Sequence, residues 1–225
     1  MDFDFGTIAK RYDDFYRNPV GRMIDRMEKR AVGRLLLDAS KGGRLVEVGC
    51  GTGHWSEYFV SRGYEVVGID RSPEMIEVAR SKNLPGASFH LGDGKSLEFP
   101  DGSFDAGAAI TVVEFVSNPK RIVGELARVV KPFGRIILGV LHEDSYLGRK
   151  RKRDGDPVYS TAHFFQVDEL RKLLSPFGSV SIIQCLFAPP IPEFLELADE
   201  IEQKGIDNGW KHGNFLVASI INGEA

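Results

Sequence analysis

Cysteine is nearly absent: Cys50 and Cys185 are the two in 225 residues. That rules out a disulfide framework or a cysteine-built zinc cluster, and a pair of reduced thiols suits an intracellular protein. No H-x-x-x-H or C-x-x-C pair supplies metal ligands, so no metal is expected. No apolar run is long enough to cross a bilayer. Met1-Asp2-Phe3-Asp4 lacks the basic and apolar regions of a secretory leader. The expected location is the cytoplasm. A strong excess of one charge is also missing: the net charge of −3 argues against nucleic acid as the partner. There is no internal repeat and no low-complexity segment. What remains is ordinary globular composition, 42% hydrophobic and 27% charged, with length for one domain over residues 1–225 and a sizeable core.

The stretch from Arg44 to Asp70 organises the chain. Leu45 to Val48 reads as a buried strand, and Gly49, Gly51 and Gly53 alternate across a tight turn. His54 to Arg62 reads as a helix, with Trp55 and Phe59 on one face. Glu65 to Ile69 is a second strand, closed by Asp70. A strand, glycine turn, helix, strand and acid in this order mark a nucleoside-bearing cofactor site in a doubly wound fold. The glycines run G-x-G-x-G behind Glu47, not G-x-G-x-x-G, and no phosphate-binding lysine follows. A compact turn behind an acid suits a cofactor with an amino-acid portion and no phosphate. The glycines allow close backbone approach, the helix start can receive a carboxylate, and Asp70 can accept from both ribose hydroxyls. A dinucleotide site with an irregular turn is the competing reading.

Glu47-Val-Gly-Cys-Gly-Thr-Gly53 resembles motif I of class I S-adenosylmethionine (SAM)-dependent methyltransferases, and Asp70 resembles their ribose-binding acid. The core is similar to the methyltransferase type 11, UbiE-like small-molecule subfamily. The resemblance extends from about Phe3 to Ile221, strong over the cofactor half and weak over the acceptor half. It implies a Rossmann-like α/β fold with a doubly wound seven-stranded sheet of order 3-2-1-4-5-7-6. Strand 7 would be antiparallel and helices would cover both faces. It implies SAM as cofactor and S-adenosylhomocysteine as product. Its cofactor-binding set maps to Tyr12, Glu47, Gly49, Gly51, Gly53, Asp70, Arg71, Asp93, Gly94 and Val112. In the family, the turn holding Asp93 and Gly94 faces the adenine; Asp93 read alone could equally be a loop-turn residue.

The remaining elements follow in order. Residues 1–40 form an aromatic cap segment with Phe3, Phe5, Tyr12, Phe15 and Tyr16, then an amphipathic helix from Val20 to Asp38. The Tyr12-Asp13 pair resembles the segment with which small-molecule methyltransferases close their site. Ser72-Pro73 starts a helix, Ala87 to Leu91 is the third strand, and Ala106 to Val112 the fourth. Asn118-Pro119 starts a helix to Val130, and Ile136 to Leu141 is the fifth strand. His142 to Thr161 reads as a polar connection without a period, and its run Arg149-Lys-Arg-Lys-Arg153 as a solvated face or an anion-attracting gate. A helix from Val167 to Leu174 has Asp168 as its expected cap, Val180 to Phe187 is the sixth strand, Glu193 to Lys204 an acidic helix and Gly213 to Ile221 the last strand. Stretches 142–165 and 188–212 are expected to build the acceptor side. Within them, Glu143 to Thr161 and Pro189 to Trp210 should meet the aromatic segment as a lid above the strand ends.

Methyl transfer needs the acceptor atom held in line with the leaving sulfur, and a base only if the acceptor must lose a proton. His163, His142, His54, Glu114 and Tyr12 qualify by type and place; His163 and Tyr12 are taken as the catalytic candidates, and a structural role for His163 stays open. The fourth strand ends in Thr-Val-Val-Glu, without the [N/D]-P-P-[Y/F] motif that enzymes methylating adenine or glutamine amides share. The expected partner is a small-molecule methyl acceptor, with no nucleic acid and no membrane span, and the expected state a monomer or homodimer. Protein methylation, a non-catalytic SAM-binding module and a nicotinamide-dependent reductase remain as alternatives.

Overall fold

A computed structural model describes residues 4–40, 42–155 and 158–223; Phe3, Lys41 and the middle of the 142–165 stretch lie outside them. A 3-10 turn at Phe5–Arg11 leads into α1 (Asp14–Arg17) and α2 (Pro19–Leu35). Then come β1 (Arg44–Val48), α3 (His54–Ser61), β2 (Glu65–Asp70), α4 (Pro73–Ser81), β3 (Ala87–Leu91) and β4 (Phe104–Ile110). The second half holds α5 (Pro119–Val129), β5 (Val130–Leu141), α6 (Tyr146–Asp154), α7 (Val167–Leu174), β6 (Gly178–Cys185), α8 (Ala198–Asp207) and β7 (Phe215–Asn222).

The seven strands form one sheet in the order β3-β2-β1-β4-β5-β7-β6. β1 runs parallel to β2 and β4, while β7 runs antiparallel to β5 and β6, with Leu138 and Ile182 both facing Ala218. This is the order and the antiparallel strand that the resemblance implied. The period of two in each strand divides the core in two. Leu45, Ile137 and Val217 join Met23, Met27 and Phe59 on one face, while Val46, Ile136 and Leu138 join Leu126, Leu170 and Leu174 on the other. Helix starts follow their caps: Asn18 accepts from the Gly21 amide at 2.8 Å, and Ser72 from the Met75 amide at 3.2 Å.

Several boundaries differ from expectation for local reasons. β4 stops at Ile110 because Thr111 turns into the left-handed region at φ +52°. β5 begins at Val130, which pairs with Phe104 before the register shifts. α7 has Gln166 at its cap with no side-chain bond, and Asp168 sits in its first turn. The acidic helix is preceded by a 3-10 turn at Pro192–Phe194 and starts only at Ala198. The 142–161 stretch is a corrected expectation: it contains α6, capped by Ser145, whose side chain accepts from the Gly148 amide at 2.9 Å. α6 closes on Gly155 at φ +63°, and Lys150 pairs with Asp154 one turn apart.

Candidate functional site

The glycine turn between β1 and α3 is built on positive backbone angles. Gly49, Gly51 and Gly53 have φ of +70°, +51° and +79°, where an L side chain is strained. Their surroundings differ. A Cβ on Gly49 would stand 2.3 Å from Val112 Cγ2, and one on Gly53 2.8 Å from the Phe89 ring. A Cβ on Gly51 would meet only Met75 Sδ, at 3.9 Å, because Gly51 faces open space.

That space is a cavity of about 430 Å³ at the C-terminal ends of β1, β2 and β4, where doubly wound sheets hold ligands. Tyr12, Gly49, Gly51, Asp70, Arg71, Asp93, Gly94 and Val112 line it. Its lining mixes polar groups, Asp70, Arg71 and Ser72, with apolar ones, Val48, Ile69 and Ile122. Asp70 accepts from the Gly51 amide at 2.8 Å and from the Ser72 amide at 2.9 Å. Two of its four lone-pair positions are thus used for the loop, and two are left for a ligand. Asp93 makes the turn that its alternative reading required, accepting from the Lys95 amide at 2.9 Å, and still lines the cavity. Glu47 and Gly53 lie behind the wall. The buried Glu47 carboxyl accepts from Ser56 Oγ on α3, so it ties strand to helix.

A second cavity, of about 480 Å³, adjoins the first. Phe5, Tyr12, Thr111 and Phe115 belong to the walls of both. The aromatic segment adds Phe15 and Tyr16, and the end of α6 and its sequel add Arg151 and Tyr159. Leu186 and Asn214 contribute from either side of the 188–212 stretch, none of whose own residues is in this wall. The cap is tied to the glycine turn: Asp13, next to Tyr12, accepts from Thr52 Oγ1 at 2.6 Å and pairs with Lys82 at 2.7 Å. Tyr16 stacks on His54 with ring centroids 3.5 Å apart, and His54 in turn meets Asp25 at 2.7 Å.

Of the five groups named as possible bases, Tyr12 alone lines the joined cavities. His163 lines a third cavity and pairs with Glu169 at 2.6 Å, its side chain 58% exposed. His142 Nδ1 meets the Gly213 carbonyl at 2.8 Å, and burial holds its pKa below the usual value. Glu114 accepts from the Leu141 amide through Oε1, while its buried Oε2 has no partner among the described residues.

Three residues of these walls matter here: Glu28 went unmarked in the sequence, and Arg151 and Thr111 were visible only as parts of longer stretches. Glu28 is buried on α2 and faces the second cavity. Its signal was present: it lies four positions after Ile24, on the apolar stripe rather than with Lys29 and Arg30. Arg151 turns inward from the basic run, its guanidinium 3.8 Å from the centroid of the Tyr159 ring. Thr111 has no local signal, since nothing in its neighbours marks a β-branched residue for φ +52°. Such strain costs about 1–3 kcal/mol and collects at functional sites. Thr111→Gly is therefore expected to leave stability level or raised by about 1 kcal/mol. The same change should lower turnover by removing a wall common to both cavities; urea unfolding and product release measure the two effects.

Burial, ahead of neighbouring charges, pushes the carboxyls of Glu28 and Glu47 up to about 8 and that of Glu114 to about 7. An unfolded glutamate ionises near 4.5, so the folded chain holds protons that the unfolded chain has released. The resulting stability is complete below pH 4.5 and is lost as pH rises through 7 to 8. Unfolding free energy is thus expected to fall from about pH 5 to about pH 8, the interval between the unfolded and folded ionisations. His142 opposes this only at lower pH, where it must stay neutral. Denaturant titrations across that window check the slope, and Glu47→Gln should reduce it.

Comparison with known proteins agrees with this geometry. Residues 46–138, from β1 to β5, match the family described as a methyltransferase domain. A demethylmenaquinone methyltransferase of Tropheryma whipplei is 29% identical over 96% of this chain and 87% of its own. An uncharacterised protein of Methanocaldococcus jannaschii is 28% identical over 96% of this chain and 97% of its own. A solved structure from Thermotoga maritima, named a SAM-dependent methyltransferase and possible histamine N-methyltransferase, superposes with a TM-score of 0.75. It is 28% identical, with 97% of this chain and 98% of that one covered. Residues 46–138 thus carry a methyltransferase domain, and over nearly its whole length the chain is similar to SAM-dependent methyltransferases, a likeness that makes SAM the cofactor. No helix among the described residues is long and apolar enough to cross a membrane.

Proposed function

We propose that the enzyme methylates a small molecule held in the second cavity, with SAM in the first. One observation carries this reading: Phe5, Tyr12, Thr111 and Phe115 are walls of both spaces, so occupants of the two would abut. SAM, when bound, supplies a methyl group made electrophilic by its sulfonium. The chain's part is placement. Asp70 accepts from the ribose hydroxyls through the positions its loop bonds leave open. Gly49, Gly51, Arg71, Asp93, Gly94 and Val112, which line the same cavity, would hold the rest of the cofactor. Glu47 and Gly53 act one step back, by holding α3 against the sheet. Tyr12 sits at the junction, where a ring face favours a cation. His163 lies outside this arrangement.

A purely regulatory SAM-binding module would be favoured by an acceptor space filled with side chains; here about 480 Å³ is open. The relative named as a demethylmenaquinone methyltransferase also supports a small acceptor. Two buried free cysteines fit work in the cytoplasm. The test is S-adenosylhomocysteine release with a panel of small acceptors. Turnover on protein or nucleic acid substrates alone would refute the reading.

A further inference from the structure

The second cavity combines aromatic walls with a half-buried cation, Arg151. Arg151 Nη1 is buried and has no hydrogen-bond partner among the described residues. A guanidinium donor buried in this way is costly unless something accepts from it. Its plane is held by the Tyr159 ring, which leaves its N–H edge for another partner. Around it stand Phe5, Tyr12 and Phe115, flat apolar surfaces that suit a planar ring. We infer that this cavity takes an acceptor with a flat unsaturated ring and an anionic oxygen group, the ring among these aromatics and the anion meeting Arg151 opposite Glu28. The inference rests on the function proposed above.

The charge balance agrees. Glu28 and Glu114 are carboxyls whose charge feels Arg151, and neither forms an ion pair with it among the described residues. Burial keeps Glu28 protonated at neutral pH, so it offers a hydrogen bond without cancelling the cation. Arg11, at the rim, adds charge of the same sign. Asp14, the other carboxyl of this wall, is paired with Arg17 at 2.8 Å, so an ammonium-bearing acceptor would face the guanidinium with no unpaired carboxylate to offset it.

Calorimetric titration of the whole protein, with S-adenosylhomocysteine saturating, tests the inference with three matched probes. These are 6-hydroxy-2-naphthoate, its neutral amide and the corresponding aminomethyl compound. The naphthoate is expected to bind at least tenfold more tightly than the amide, and the amine most weakly. Arg151→Met should bring naphthoate and amide to within about twofold while S-adenosylhomocysteine affinity stays unchanged. Should Arg151→Met fail to fold, Arg151→Lys keeps the charge without the planar fork and should retain the preference at reduced affinity. Equal binding of the three, tightest binding of the amine, or no binding of any while S-adenosylhomocysteine binds would overturn the assignment. Failure of S-adenosylhomocysteine itself to bind would strike the proposed function instead. The probe order, measured without it, would still decide this inference.

Discussion

Gly51→Val is expected to give a folded protein that no longer binds SAM measurably. The Cβ of any residue at 51 stands in the cavity proposed for SAM, with Met75 Sδ at 3.9 Å as its single near neighbour. The added methyls therefore compete with ligand, not with the core. The left-handed φ of +51° adds strain of about 1–2 kcal/mol, a tolerable fraction of a typical folding free energy of about 5–15 kcal/mol. Gly51→Ala separates the two effects, with the same sign of strain and less intrusion. Gly49→Val should behave in the opposite way, since its side chain would meet Val112 at 2.3 Å and the turn itself would fail. Calorimetry with SAM and thermal unfolding of the three variants distinguish these outcomes. Normal affinity in folded Gly51→Val would show that the ligand lies elsewhere.

Asp70→Ala is expected to weaken SAM binding by about ten- to a hundredfold. Loss of charge-assisted hydrogen bonds accounts for about 1.5–3 kcal/mol, and each 1.4 kcal/mol is about a factor of ten. The same carboxylate anchors the Gly51 and Ser72 amides, so the substitution also frees the glycine turn and the start of α4. Stability should fall with affinity, by about 1 kcal/mol. Asp70→Asn keeps one acceptor for the loop and loses the charge. It should restore most of the stability and little of the affinity. Affinity unchanged in both variants would remove Asp70 from the ribose site.

The sheet order was legible through the family resemblance, and the cofactor half because local chemistry there has few alternatives. Three positive φ values in five residues leave glycine as the ready solution, and an acid that closes a strand is visible as such. The acceptor half was not legible, because its walls come from segments distant in sequence. Arg151 differs from Lys150 and Lys152 only in the helix face it occupies, and α6 has no apolar stripe to reveal that face. Its signals were instead Ser145 at one end and Gly155 at the other, outweighed by the basic run between them. Glu28 was hidden for the opposite reason: the helix was so plainly amphipathic that an acid within its stripe passed as packing. His163 was a candidate by residue type and place, and the structure gives it Glu169 and a separate cavity.

The place of β7 bears on how the chain is made. β7 follows every other strand in sequence yet lies between β5 and β6. Its last residue, Asn222, donates to the carbonyls of Ala127 and Val130 at 2.8 Å, where α5 passes into β5. During synthesis β1 to β4 can pair as they emerge. β6 instead has to wait beside an unfilled slot, with one edge of β5 bare. The cofactor half can thus assemble on the ribosome well ahead of the acceptor half, and that bare edge is the point at which nascent chains are most open to mispairing and chaperone capture.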